Sequence, residues 1–131
     1  KKDLINLVEE EHGWERFGVN NFHPTIKEGY MEGASMTKHN GKYYLQYAAP
    51  GTQFNVYGDG VYIGETPLGP FTYMKNNPMS FKPGGFTNGA GHGVTVKQTN
   101  GQYWHFILPL RRLMRTVFLR KRKLLKLNKI R

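Results

Sequence analysis

From residue 29 to residue 107 the apolar residues come in short runs of Tyr, Phe, Val and Ile, cut by Asn-Gly, Pro-Gly and Gly-Pro pairs. That pattern predicts short strands joined by tight turns. All 16 glycines and all but one of the seven prolines lie in residues 1–105. Residues 1–28 are mixed, and His12-Gly13-Trp14-Glu15-Arg16-Phe17 is compatible with a single helical turn. From about residue 106 onward the strand and turn signals stop. Leu110, Leu113, Met114, Val117, Phe118, Leu124 and Leu125 recur at helical spacing, which predicts a basic amphipathic helix over 108–131.

An internal repeat organises the middle of the chain. Glu32-Gly33-Ala34-Ser35-Met36-Thr37-Lys38-His39-Asn40-Gly41-Lys42-Tyr43-Tyr44 aligns without a gap on His92-Gly93-Val94-Thr95-Val96-Lys97-Gln98-Thr99-Asn100-Gly101-Gln102-Tyr103-Trp104, an offset of 60. Gly33/Gly93, Asn40/Asn100, Gly41/Gly101 and Tyr43/Tyr103 are identical. Each copy reads as a hairpin whose Asn-Gly suits a type I′ turn, in which both central residues need φ > 0. Two more strand-like runs, Phe54–Ile63 and Pro70–Tyr73, follow the first hairpin. Four antiparallel strands per period is the pattern of a β-propeller blade; a coincidental pair of hairpins is the plainer alternative.

The reading is therefore all-β: about one and a half blades, with a C-terminal basic helical tail. Residues 1–28 belong to a preceding blade or linker, 29–107 hold the blade and the first hairpin of the next, and 108–131 form the tail. A closed propeller needs roughly 300 residues or more, so the 131 present are expected to be a fragment. In a propeller the first strand of each blade lines the central channel. Glu32 and His92 then sit at equivalent points near the axis, where a carboxyl group can serve as a general acid.

Charge changes this picture only at one end. The formal charge is +10, yet residues 1–110 hold nine Lys/Arg and nine Asp/Glu. Residues 111–131 hold ten Lys/Arg and no acid. A nucleic-acid or anionic-membrane partner would thus be an argument about the tail alone, which could act as a non-enzymatic binding helix. The absence of cysteine excludes disulfide scaffolds and thiolate-held metals. The run Phe106–Leu108 is far short of the ~20 apolar residues of a membrane span. Ser35 and Ser80, the only serines, lie outside any GxSxG, and Gly58-Asp59-Gly60 and 84–93 complete no nucleotide-loop motif. His12, His23, His39 and His105 lack metal-ligand spacing.

Met31-Glu32-Gly33-Ala34, followed by Lys38-His39-Asn40-Gly41-Lys42-Tyr43-Tyr44-Leu45-Gln46-Tyr47-Ala48-Ala49-Pro50-Gly51-Thr52, resembles the glutamate blade of glycoside hydrolase family 43. Gly60-Val61-Tyr62 with Glu65-Thr66-Pro67-Leu68-Gly69-Pro70-Phe71-Thr72-Tyr73 is similar to the family's outer-strand segment, and Gly89-Ala90-Gly91-His92-Gly93 to its histidine motif. The likeness covers about residues 12–106. It implies a five-bladed propeller that cleaves arabinose- and xylose-containing glycans with inversion, in a periplasmic or extracellular setting, with carbohydrate as partner.

The resemblance further implies Glu32 as the general acid and His92 as an axial histidine that helps hold a calcium ion or water. Trp14 and Trp104 are candidates to stack on sugar rings, with core packing as the competing role. The family's aspartate base and second, tuning aspartate come from other blades, and Asp3 and Asp59 match neither motif. Glu-Gly-Ala at Ala34 departs from the family's Glu-Gly-Pro. The family continues beyond Phe106 with further strands, so the basic tail is expected to reflect a shifted reading frame or a misassembled end.

Overall fold

The structure, a computed structural model, describes residues 13–85 and 88–110. Among the described residues a 3-10 turn at Gly13–Glu15 is followed by strands: β1 (Glu32–His39), β2 (Lys42–Ala49), β3 (Gly58–Gly64), β4 (Phe71–Tyr73), β5 (Ser80–Phe81), β6 (Asn88–Lys97) and β7 (Tyr103–Leu110). Strands β1 to β4 form an antiparallel meander in chain order, the make-up of one blade, and β5 adds to β3 beside Gly58 and Asp59. Strands β6 and β7 make a second antiparallel sheet, and β6 packs against β1, β2 and β3. The four-strand period and the repeated hairpin are as the sequence predicts.

Local chemistry explains the elements and corrects three expectations. Asn40 and Gly41 both take positive φ, 47° and 79°, so the β1–β2 loop is the expected two-residue turn closed by the His39–Lys42 pair. The β6–β7 turn differs. Gly101 N–H bonds Gln98 O at 2.9 Å, Gly101 alone of that turn takes a left-handed φ of 82°, and Gln98 N–H reaches Gln102 O. This is a type I turn with a glycine bulge, held because Asn100 Oδ1 accepts the Gln102 N–H at 3.0 Å.

The run Phe54–Ile63 is not one strand. Residues 54–57 are turns, with Phe54 N–H on Gly51 O and Tyr57 N–H on Phe54 O, and β3 begins only at Gly58. Strand pairing also outlasts the 107/108 boundary. Leu108 faces Gly91, Pro109 faces Ala90 and Leu110 faces Asn88, because β6 is long enough to template them. The predicted helix falls otherwise on residues 111–131, outside the described residues. Among the described residues no helix is long and apolar enough to cross a membrane.

Aromatic residues build the core of the first sheet. Tyr47, Ala49 and Tyr62 are buried at its centre, with Trp14, Met31, Leu45, Phe71 and Tyr73 packed around them. Gly60 makes this possible, since a Cβ there would stand 2.6 Å from the Tyr47 ring and 2.7 Å from Trp14. Trp14 donates its indole N–H to Tyr73 Oη at 2.8 Å, and the Tyr47 hydroxyl donates to the buried Glu15. Burial first, then the Glu15 carboxylate, pushes the Tyr47 pKa far above the ordinary phenol value.

A tyrosine whose folded pKa is raised stabilises the fold fully below the unfolded pKa of about 10, and that stability is lost as pH rises beyond it. Tyr47 and Tyr57 are both of this kind. The urea midpoint of the chain is expected to hold up to about pH 9 and to fall steeply by pH 11, by about 1.4 kcal/mol per tyrosine per pH unit. Substituting Phe for either tyrosine should flatten that fall.

Candidate functional site

Two backbone bulges bring Glu32 and His92 together. Between Glu32 and Ser35, β1 carries one residue more than its partner β2, and between Gly91 and Val94, β6 carries one more than β7. Bulges of this kind twist a strand and re-aim its side chains. Within these two bulges the left-handed residue is Gly33 in β1 (φ 64°) and His92 in β6 (φ 56°), one position earlier relative to the sequence repeat. That offset sets the His92 ring over Gly33, where a Cβ would lie 3.2 Å from the ring. Any side chain at position 33 would meet the imidazole.

The two ionisable groups therefore converge, as the repeat predicts. His92 Nδ1 stands 3.8 Å from Glu32 Oε1, with side chains about half (51%) and two-fifths (40%) exposed. Between them lies a hydroxyl that no motif reveals. Tyr57 Oη donates to Glu32 Oε1 at 2.7 Å and is 2.9 Å from His92 Nδ1. Tyr57 is fully buried, and burial, the hydrogen bond to Glu32, its charge and that of Asp59 raise the phenol pKa far above its usual value. Below the ordinary phenol pKa of about 10 the hydroxyl here is thus neutral and able to donate.

A second polar cluster ties the two sheets. Asp59 on β3, with no exposed surface, accepts the Gly93 N–H at 3.0 Å and lies 3.2 Å from His105 Nε2 on β7. Gln46 on β2 donates to the same carboxylate at 3.5 Å and accepts from Thr95 Oγ1 on β6, which also touches His105 Nδ1 at 3.2 Å. Gly93 has no room for a side chain, because a Cβ would stand 2.4 Å from Asp59 Oδ2. Asp59 and His105 are thus structural partners in a buried network. Read singly, each lacked a motif; the burial that joins them arises only from the packing of β6 on β3.

The remaining candidates lie elsewhere on the fold. Trp14 packs in the aromatic core with its N–H on Tyr73, and Trp104 is half-buried on β7 opposite Val96. His39 bonds Tyr103 Oη at 2.9 Å, which clasps the tips of the two hairpins, and His23 Nδ1 accepts the Ile26 N–H in a local turn. Asp3 and His12 are outside the described residues. Calcium needs about six to eight oxygen ligands. Among the described residues no group of three or more His, Cys, Asp and Glu gathers that could hold a metal ion, and His92 Nδ1 is engaged with Tyr57. These residues do not by themselves fit a calcium cage.

Removing one partner of a buried hydrogen-bonded pair leaves the other unsatisfied, at a cost of about 1–3 kcal/mol. Asp59→Ala and His105→Ala are each expected to lower unfolding free energy by about that amount, and the double variant by clearly less than their sum. Denaturant titration of the four proteins checks this.

The sequence matches glycosyl hydrolases family 43 over residues 7–126, which runs on across most of the basic tail. No curated protein sequence matches the chain. Several solved structures do. An endo-1,4-β-xylanase from Bacteroides thetaiotaomicron is 31% identical with a TM-score of 0.54, over 61% of this chain and 28% of that one. A xylan β-1,4-xylosidase from Bacillus halodurans is 28% identical with a TM-score of 0.57, over 64% of this chain and 16% of that one. The Bacteroides ovatus xyloglucan PUL GH43B, at 22% identity, shares the fold with a TM-score of 0.60, over 66% of this chain and 18% of that one. The chain thus spans less than a third of the length of these structures. With the blade, the half-blade after it and the match along most of its length, the chain belongs to glycosyl hydrolases family 43.

Proposed function

We propose that this chain supplies the general-acid side of a glycoside hydrolase that cleaves arabinose- or xylose-type glycosidic bonds with inversion. The observation that carries this reading is the convergence of a part-exposed Glu32 with His92 on two successive inner strands, fixed by a buried tyrosine. A carboxyl group tethered at one oxygen and open to solvent is suited to hand over a proton. The xylanase and xylosidase among the similar structures support a pentose-containing glycan as substrate.

In the reaction, protonated Glu32 gives its proton to the glycosidic oxygen as the bond to the anomeric carbon breaks. The leaving group departs as a neutral alcohol. A water attacks the opposite face and loses its proton to an aspartate base, which in inverting enzymes stands ~6.5–9.5 Å from the acid to admit that water. Asp59 is unsuited to that part, being fully buried and committed to Gly93 and His105. The base must come from another blade.

The chain alone is therefore expected to show no turnover of aryl xylosides or arabinofuranosides. In a complete propeller that carries it, Glu32→Gln should lower kcat/KM by about 10²–10⁴ on substrates with poor leaving groups. Turnover by the isolated chain that is abolished by Glu32→Gln would overturn the division of acid and base. An unchanged rate in the Glu32→Gln propeller would overturn the role of Glu32.

A further inference from the structure

Tyr57 sits where both sheets hold it. Its ring lies under Gly91, where a Cβ would come within 2.6 Å, and its carbonyl accepts the Ala90 N–H at 2.6 Å. The side chain has little freedom, so its hydroxyl marks a fixed point beside Glu32 and His92. That hydroxyl carries one proton and touches two polar atoms, Glu32 Oε1 at 2.7 Å and His92 Nδ1 at 2.9 Å. The direct Nδ1–Oε1 separation of 3.8 Å exceeds a hydrogen bond. A carboxyl group accepts at Oε1 whether it is ionised or carries its proton on Oε2, whereas an imidazole Nδ1 can accept or donate. The proton of Tyr57 therefore goes to Glu32, and the phenol oxygen is left to accept from the imidazole.

We propose that Tyr57 is a positioning residue for the acid: its hydroxyl donates to Glu32 Oε1 and accepts from His92 Nδ1–H, which leaves Oε2 as the oxygen that carries and delivers the proton. The two oxygens of one carboxyl group acquire separate tasks, one anchored and one reactive. His92 acts through Tyr57 by holding the phenol in the donating orientation. Gly33 belongs to the same device, since it leaves the space that the imidazole fills. This inference rests on the reading of Glu32 as the general acid.

Two measurements test it. Long-range ¹H–¹⁵N correlation on the chain with labelled histidine, at a pH about two units above the ordinary histidine pKa of ~6.5, reads the neutral tautomer of each ring. His92 is expected to carry its proton on Nδ1 in the wild type and to move toward the Nε2–H form in Tyr57→Phe. A bare Nδ1 in the wild type would overturn the inference, because the phenol would then be donating to His92.

In the complete propeller, Tyr57→Phe is expected to lower kcat on alkyl glycosides by about tenfold to a hundredfold with little change in KM. Dinitrophenyl glycosides, whose leaving group needs no proton, should keep their rate within about twofold. Glu32→Gln should show the same dependence on leaving group, with a larger loss. If Glu32→Gln slows both substrates alike, the reading of Glu32 falls and the inference with it. If Glu32→Gln discriminates but Tyr57→Phe slows both substrates alike, Tyr57 merely supports the fold and the inference alone falls.

Discussion

One buried carboxylate holds the two sheets in register. Asp59 lies on β3 of the first sheet, yet its oxygens are met by the backbone of Gly93 on β6 and the imidazole of His105 on β7. Charge in a dry interior is tolerated only when it is paired and its lone pairs are filled. Sliding β6 by one residue would turn the N–H that Asp59 accepts away from it and would drive a side chain into the space that Gly93 keeps open. The network therefore selects one docking of the second hairpin on the first blade. That docking carries His92 to Glu32.

The bulges convert docking into chemistry. A regular β6 would alternate its side chains strictly between the two faces. The extra residue between Gly91 and Val94, with His92 at positive φ, breaks the alternation where the strand meets β1. A left-handed conformation in a residue other than glycine costs energy and persists only when its surroundings fix it. Tyr57 on one side and Gly33 on the other are those surroundings. The same tyrosine anchors Glu32, so structural strain and placement of the acid share one hydroxyl.

Much of this was legible in the sequence, and for physical reasons. Hairpins are local: Asn40-Gly41 and Asn100-Gly101 mark turns because few other residues accept their geometry, and the 60-residue offset shows that the unit recurs. Glu32 and His92 stood out because they head the two aligned copies of the repeat, although β6 starts four residues before His92, at Asn88. Tyr57 did not, since one tyrosine in an aromatic run looks like any core residue until a neighbouring sheet brings two partners to its hydroxyl. Asp59 and His105 are 46 positions apart and share no spacing rule. The split of Phe54–Ile63 into turns and strand was hidden too, because apolar residues in a tight corner keep the composition of a strand.

The account stands on the seating of the His92 ring against Gly33, from which the approach to Glu32 follows. Nuclear Overhauser effects between the Gly33 α-protons and the His92 ring protons test it most directly, with a Gly33 α-proton shifted by the ring current. The account predicts strong cross-peaks alongside those between the paired strands β1 and β2. Cross-peaks within both hairpins but none between Gly33 and His92 would contradict it.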